Sequence, residues 1–237
     1  MGTAAPHILA FDTSAQLTSL ALCAGPRVLV EEHAASDGKH AEALLPQLQE
    51  ALSRAGLSLS DVDVIGVGIG PGSFTGVRVG VATAKGLGLA LQKPVIPVVS
   101  LAALAHEAAE STVASWIAPC LDAYKGEVFA ALYERTGAEL TLRLGPFHAA
   151  PAVVRARLAA ESGGAALALV GGGLGRYPEL AGDGIAHGPL LSAPRASVVA
   201  RLALAAYERA DIPPLSKVAP LYLRDSDAQL PKTPLRL

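Results

Sequence analysis

Asp61-Val62-Asp63-Val64-Ile65-Gly66-Val67-Gly68-Ile69-Gly70-Pro71-Gly72-Ser73-Phe74-Thr75-Gly76-Val77-Arg78 is the stretch on which the fold turns. Val62–Ile69 is an apolar run of strand length, and the Gly-Pro-Gly that follows ends it. A helix is predicted from Phe74 to Leu91, where Gln92-Lys93-Pro94 stops it. Strand, glycine turn and helix in this order form the layout of an anion-binding turn. Glycines bare backbone N–H groups there, and the helix terminus adds partial positive charge. The stretch lacks the Gly-Lys-Ser/Thr of a P-loop and the G-x-G-x-x-G of a dinucleotide fold. Two readings therefore stand side by side: a tight turn with Ser73 as N-cap, or a phosphate cradle.

Within the predicted helix, Gly76, Gly80, Ala84 and Gly88 recur every four residues, and Gly86 adds a further glycine. Each interior glycine costs about 1 kcal/mol relative to Ala. Such a bare stripe is tolerable where another backbone approaches closely, inside the chain or in a second one, and both readings stay open. Phe74, Val77 and Val81 make a bulkier row, with Arg78 beside it.

Outward from this unit the first half reads as strands His7–Asp12, Leu17–Cys23 and Arg27–His33, then a helix from Lys39 to Ala55. Pro46 is expected to kink or divide that helix. After the glycine loop and its helix comes a short strand, Val95–Val99. The second half repeats the order, with strands Trp116–Leu121, Glu127–Glu134 and Glu139–Phe147 and a helix Pro151–Glu161 opened by proline. Strand Leu167–Val170 and helix Ala196–Ala210 complete it. Strand-strand-strand-helix-strand-helix, occurring twice, predicts an α/β protein of two duplicated lobes, the architecture of the actin/hexokinase/Hsp70 (ASKHA) superfamily. The lobes are placed at 1–105 and 106–211, the second smaller or degenerate, with a proline-rich tail over 212–237 expected to run over the surface and pack back on it.

Apolar residues make up 51% of the 237 and charged ones 17%, which excludes disorder along the whole chain. A net charge of −2 gives no general attraction to nucleic acid or anionic membrane, so a partner is expected to supply the basic surface if RNA is handled. Cys23 and Cys120 sit in apolar runs and read as buried free thiols. The N-terminus has no basic region followed by an apolar stretch, and no apolar segment reaches the roughly 18 residues of a membrane span. A cytoplasmic protein is expected.

A family resemblance covers nearly the whole chain. It is carried by Ile8-Leu9-Ala10-Phe11-Asp12-Thr13-Ser14, His40-Ala41-Glu42-Ala43-Leu44-Leu45-Pro46, Gly70–Arg78 and Ala84-Lys85-Gly86-Leu87. Ser100-Leu101, Asp122-Ala123-Tyr124-Lys125-Gly126-Glu127-Val128-Phe129 and Pro220-Leu221-Tyr222-Leu223-Arg224 extend it. In these motifs and their order the sequence resembles the TsaB (YeaZ) family of bacterial tRNA threonylcarbamoyladenosine synthesis. The resemblance implies the superfamily fold and a non-catalytic scaffold or activator. Its partner is the TsaD transferase, which modifies adenosine 37 of tRNAs reading codons that begin with adenine. It further implies a TsaE ATPase in the full complex, self-pairing through the same face, tRNA contact only through the complex, and no membrane. By carry-over His40, Leu44, Leu45, Phe74, Thr75 and Arg78 lie on or near the interface, with Leu48, Val77 and Val81 on the same two helices.

Residual chemistry is expected to be slight. Asp12-Thr13-Ser14 sits where nucleotide-using relatives of the fold place a phosphate hairpin, but no glycine follows before the next strand. Side chains capping a hairpin turn are the favoured reading. Asp122 holds the equivalent point of the second half, where Tyr124 and Lys125 replace small residues. Gly172 lies in a glycine run after a buried strand, as the adenine-side loop does. These residues are read as a vestigial nucleotide site, with ATP or ADP expected only in the full complex and no cofactor for the chain alone. The catalytic partner's family carries His-x-x-x-His on a helix, whereas here Leu44 follows His40, and the six histidines are scattered; no metal site is expected. The rival functions are a small-molecule kinase of the same superfamily and a peptidase using Ser73.

Overall fold

The computed structural model describes residues 5–35, 40–181, 186–187 and 193–224. The first half supplies β1 (His7–Asp12), β2 (Leu17–Ala24), β3 (Arg27–Ala35), α1 (His40–Ala55), β4 (Val64–Gly68), α2 (Phe74–Leu91), β5 (Val95–Val98) and α3 (Ser100–Ala108). The second supplies β6 (Trp116–Asp122), β7 (Val128–Thr136), β8 (Glu139–Ala149), α4 (Pro151–Glu161), β9 (Leu167–Val170), α5 (Gly173–Arg176), β10 (Ala186–His187) and α6 (Ala196–Glu208).

Two five-stranded sheets have the same topology. The first is ordered β3-β2-β1-β4-β5 and the second, read from its other edge, β8-β7-β6-β9-β10. In each the first strand is central, antiparallel to the second and parallel to the fourth. The duplicated two-lobe α/β reading therefore holds. Alternation along β1 shows how each sheet is covered. Leu9 and Phe11 join a core with Leu44 and Leu48 of α1 and Val77 and Val81 of α2. Ile8 and Ala10 face the other way, against Val199 and Ala203 of α6. In the second sheet, Cys120, Ala130 and Leu132 meet Val154 and Leu158 of α4, while Ile117 and Ala131 meet Leu101 and Leu104 of α3.

The helices at the ends of the two halves are thus exchanged. α3 packs on the second sheet, α6 packs on the first, and the two also touch each other. The second-half counterpart of α2 is consequently the four-residue α5 and not α6, which corrects the expected order. α6 approaches closely because β4 offers Gly66, where a Cβ would lie 2.9 Å from that of Ala203. α1 runs unbroken through Pro46, which is exposed, so water can serve the carbonyl that its missing N–H leaves unpaired.

Residues 212–224 pack on the molecule at several points. Val218 is fully buried in the α1–α2 core, where Leu215 also packs. The N–H of Leu221 donates to the carbonyl of Ile69 at 2.8 Å, and Lys85 Nζ donates to that of Val218 at 3.0 Å. Leu223 reaches the α3-side core of the second lobe, and Arg224 donates to the carbonyl of Ala123 at 2.9 Å. The segment is a strap across both lobes. Residues 225–237 of the expected tail lie outside the described residues.

Candidate functional site

The end of β1, the glycine loop and the start of α3 form one buried hydrogen-bonded knot. Asp12 Oδ1 accepts from the N–H and the hydroxyl of Ser14 at 2.7 and 2.6 Å. Asp12 Oδ2 accepts from the hydroxyl of Ser100 at 2.6 Å, and Ser100 Oγ accepts from the N–H of Gly70 at 3.1 Å. Thr13 donates its hydroxyl to the carbonyl of Gly76 at 2.7 Å. The N–H of Ser73 donates to the carbonyl of Ser14 at 2.7 Å. Asp12, Thr13 and Ser14 are all buried. Groups that would meet a phosphate are therefore engaged with protein.

Ser73 caps α2, its Oγ accepting from the N–H of Gly76 at 3.2 Å. The cap expected at Ser73 is thus present. The glycine stripe is likewise settled as internal. A Cβ on Gly76 would lie 2.0 Å from the carbonyl oxygen of Thr13, one on Gly80 2.4 Å from Thr13 Oγ1, and one on Gly88 2.3 Å from the Val95 side chain. The stripe seats α2 on the first hairpin and on β5.

The second lobe repeats the arrangement more loosely. Asp122, at the end of β6 as Asp12 is at the end of β1, accepts from the N–H of Tyr124 at 2.8 Å and from the hydroxyl of Tyr177 at 3.0 Å. Tyr124, Lys125 and Gly126 follow at φ 60°, 52° and 83°. Gly172 is flanked by Gly171 and Gly173, where a Cβ would lie 2.2 and 2.9 Å from the carbonyl oxygen of Cys120. This glycine run serves the packing of α5 on β6.

The nine residues expected at an interface divide by burial. Leu44, Leu48, Val77 and Val81 are 1–4% exposed and belong to the core. They support the helices from beneath, packed with Leu9 and Phe11 of β1 and Leu20 and Leu22 of β2. Leu45, Phe74, Thr75 and Arg78 are exposed. His40 is the first residue of α1, and its side chain lies outside the described residues. Sequence reasoning missed the outer face of α2, where Ala82, Gly86, Leu89 and Ala90 are exposed. Leu89 is 74% exposed, and a Cβ on Gly86 would meet nothing within 4 Å. The signal was present: Ala82, Gly86 and Ala90 are a second four-residue series, offset by two from the first and so on the opposite side of the helix.

At the head of this face Arg78 lies over the Phe74 ring, 3.6 Å from its centroid, and donates from Nε to the Tyr222 hydroxyl at 2.6 Å. The Phe74 and Tyr222 rings are 5.2 Å apart. The strap therefore passes against the start of α2 at Tyr222. Elsewhere, Cys23 and Cys120 are buried free thiols, pushed up by burial to about 11 and about 12. Among the described residues no helix is long and apolar enough to cross a membrane.

Two sheets of identical topology, exchanged end helices and an Asp closing each central strand define the chain as a two-lobed protein of the ASKHA class. A family model described as TsaD, tRNA N6-adenosine threonylcarbamoyltransferase, matches residues 31–168. YeaZ from Pseudomonas aeruginosa is 32% identical, with a TM-score of 0.77 over 92% of this chain and 100% of that one. A structure titled as an uncharacterised protein similar to peptidase YEAZ from Pseudomonas aeruginosa gives 32% identity, 0.80 and the same coverage. The Haemophilus influenzae tRNA threonylcarbamoyladenosine biosynthesis protein TsaB is 30% identical over 123 residues, 52% of this chain and 51% of its own length. The match thus spans about half of that curated relative. The chain belongs to the TsaB (YeaZ) family.

Proposed function

We propose that this protein serves tRNA threonylcarbamoyladenosine biosynthesis as a non-catalytic subunit that binds and activates a TsaD-like transferase. A TsaE-like ATPase joins the full complex, and tRNA is reached only through it, in the cytoplasm. The observation that carries this reading is the closed knot at Asp12-Thr13-Ser14. The residues a phosphate-handling relative would turn to its ligand are buried and bonded to one another, to the glycine loop and to Ser100 of α3. What faces outward is the side of α2 from Phe74 to Ala90, each residue small or apolar apart from Arg78. Leu45 on α1 is also exposed, half of its surface being open. An exposed Gly86 with no internal contact suits close approach by a second protein. The same face is available to a second copy when the transferase is absent. The peptidase reading has no support at Ser73, whose hydroxyl is spent as a helix cap.

The test is reconstitution. The chain is expected to form a stable complex with the TsaD-like transferase of its own organism and to make no threonylcarbamoyladenosine when that transferase is omitted. Product in the transferase-free reaction would overturn the non-catalytic assignment, and failure to bind would overturn the partner.

A further inference from the structure

We propose that the strap is a third element of the transferase-binding face, and that Arg78, held by Phe74 and Tyr222, takes a carboxylate from that partner. The inference rests on the functional reading above and adds the chemistry of the contact. Four surface arginines hold acids of their own chain: Arg54 with Glu32, Arg143 with Glu134, Arg195 with Glu31 and Arg201 with Glu110. Among the described residues Arg78 has no acidic partner. Its Nε is spent on the Tyr222 hydroxyl. Its guanidinium carbon is 3.6 Å from the centroid of Phe74 and 5.5 Å from that of Tyr222, both within cation–π range. The group is thus oriented in advance, which lowers the entropy lost when its terminal N–H groups take a carboxylate fork.

The surroundings demand an anion. From Thr75 through Ala82, Gly86, Leu89 and Ala90 the outer face of α2 carries no acid. A protein laid on that face strips water from Arg78, and a buried guanidinium without a counter-charge is strongly unfavourable. The partner must therefore bring an acidic side chain to this point. Tyr222 is part of the device because the chain is tied down on both sides of it. The Leu221 N–H donates to the Ile69 carbonyl and the Arg224 side chain to that of Ala123, while Tyr222 stays 46% exposed.

The experiment is titration calorimetry of the full chain against the TsaD-like transferase at two salt concentrations, each variant first checked for folding by circular dichroism. Arg78→Gln is expected to weaken binding about tenfold or more and to flatten its salt dependence. Arg78→Lys should recover part of the loss. Tyr222→Phe should weaken binding less than Tyr222→Ala, and Arg78→Gln with Tyr222→Ala should cost little more than either alone. Arg54→Gln is the control expected to bind as wild type. Wild-type affinity and salt dependence in Arg78→Gln sink the carboxylate contact while leaving the functional reading intact. Loss of self-association with unchanged transferase affinity assigns the contact to a second copy and overturns the proposal. Absence of binding by the wild-type chain overturns the functional reading itself and removes this inference with it.

Discussion

Two glycines six residues apart on α2 show how one residue type carries opposite meanings. Gly80 has no room for a methyl group, since its Cβ would sit 2.4 Å from Thr13 Oγ1. Gly80→Ala is expected to destabilise the fold by about 1–3 kcal/mol, as overpacking does. Gly86 is exposed with nothing near it, so Gly86→Ala should stabilise by about 1 kcal/mol through helix propensity while weakening the transferase complex. Urea unfolding of both variants checks the pair, and a stabilised Gly80→Ala would contradict the packing described. Val81 and Leu45 separate in the same way. Val81→Glu puts a charge in the core and should cost at least about 3 kcal/mol. Leu45→Glu should leave stability within about 0.5 kcal/mol of wild type and reduce transferase affinity. A cooperative Val81→Glu protein of wild-type stability would refute its placement. The composition supplied no means of telling these pairs apart, because both glycine series have the same period and only the neighbours on each side distinguish them.

At the scale of elements, α2 and α4 were legible to the residue, each having a clear start and a clear stop, and β9 matched its predicted bounds. α3 was missed because Ser100–Ala108 follows β5 without a turn signal and is buried on most sides, which erases amphipathic contrast. The packing of the strap is not legible, since proline-rich composition says nothing of what Leu215 and Val218 pack against. The candidate site was half legible. Phe74, Thr75, Arg78 and Leu45 could be placed by family motif, whereas the part played by Tyr222 depends on a contact across 144 residues of chain. The α3–α6 junction yields a pH prediction. Burial, outweighing Arg195, raises the Glu107 carboxyl to about 7, and among the described residues its Oε2 has no hydrogen-bond partner. Below the ordinary 4.5 the group is protonated folded and unfolded and costs nothing. As pH rises from there to 7 the unfolded chain ionises first, so stability falls, and above 7 the loss is complete. Glu31 works in the opposite sense and lower window: burial pushes it up, but hydrogen bonds from Arg195 and Ser197 outweigh this and hold it below 4.5. Its contribution is lost only as pH falls further. Glu107→Gln is therefore expected to raise the denaturation midpoint at pH 8 and leave it unchanged near pH 4.5. Equal effects at both values would rule out the linkage.

For the whole molecule, the exchange of α3 and α6 ties each lobe to the other, and the two are expected to unfold as one cooperative unit. Trp116 lies on β6 and is the only tryptophan of the chain, so its fluorescence reports the second lobe. That signal is expected to be lost at the same urea concentration as the far-ultraviolet circular dichroism, which reports both lobes. Two separated transitions would show that the lobes unfold independently. The duplicated order of strands was readable because each element carries its own local pattern. The exchange was not, because nothing local in Ser100–Ala108 or Ala196–Glu208 says which sheet it will cover.

That exchange also bears on how the chain is made. A ribosome delivers β1, β4 and β5 well ahead of the helix that covers Ile8, Ala10, Val64 and Ile96, which begins only at Ala196. The first lobe therefore cannot finish folding until the second has been made. One apolar face of its sheet must wait, open to chaperones or to misassembly, until α6 emerges.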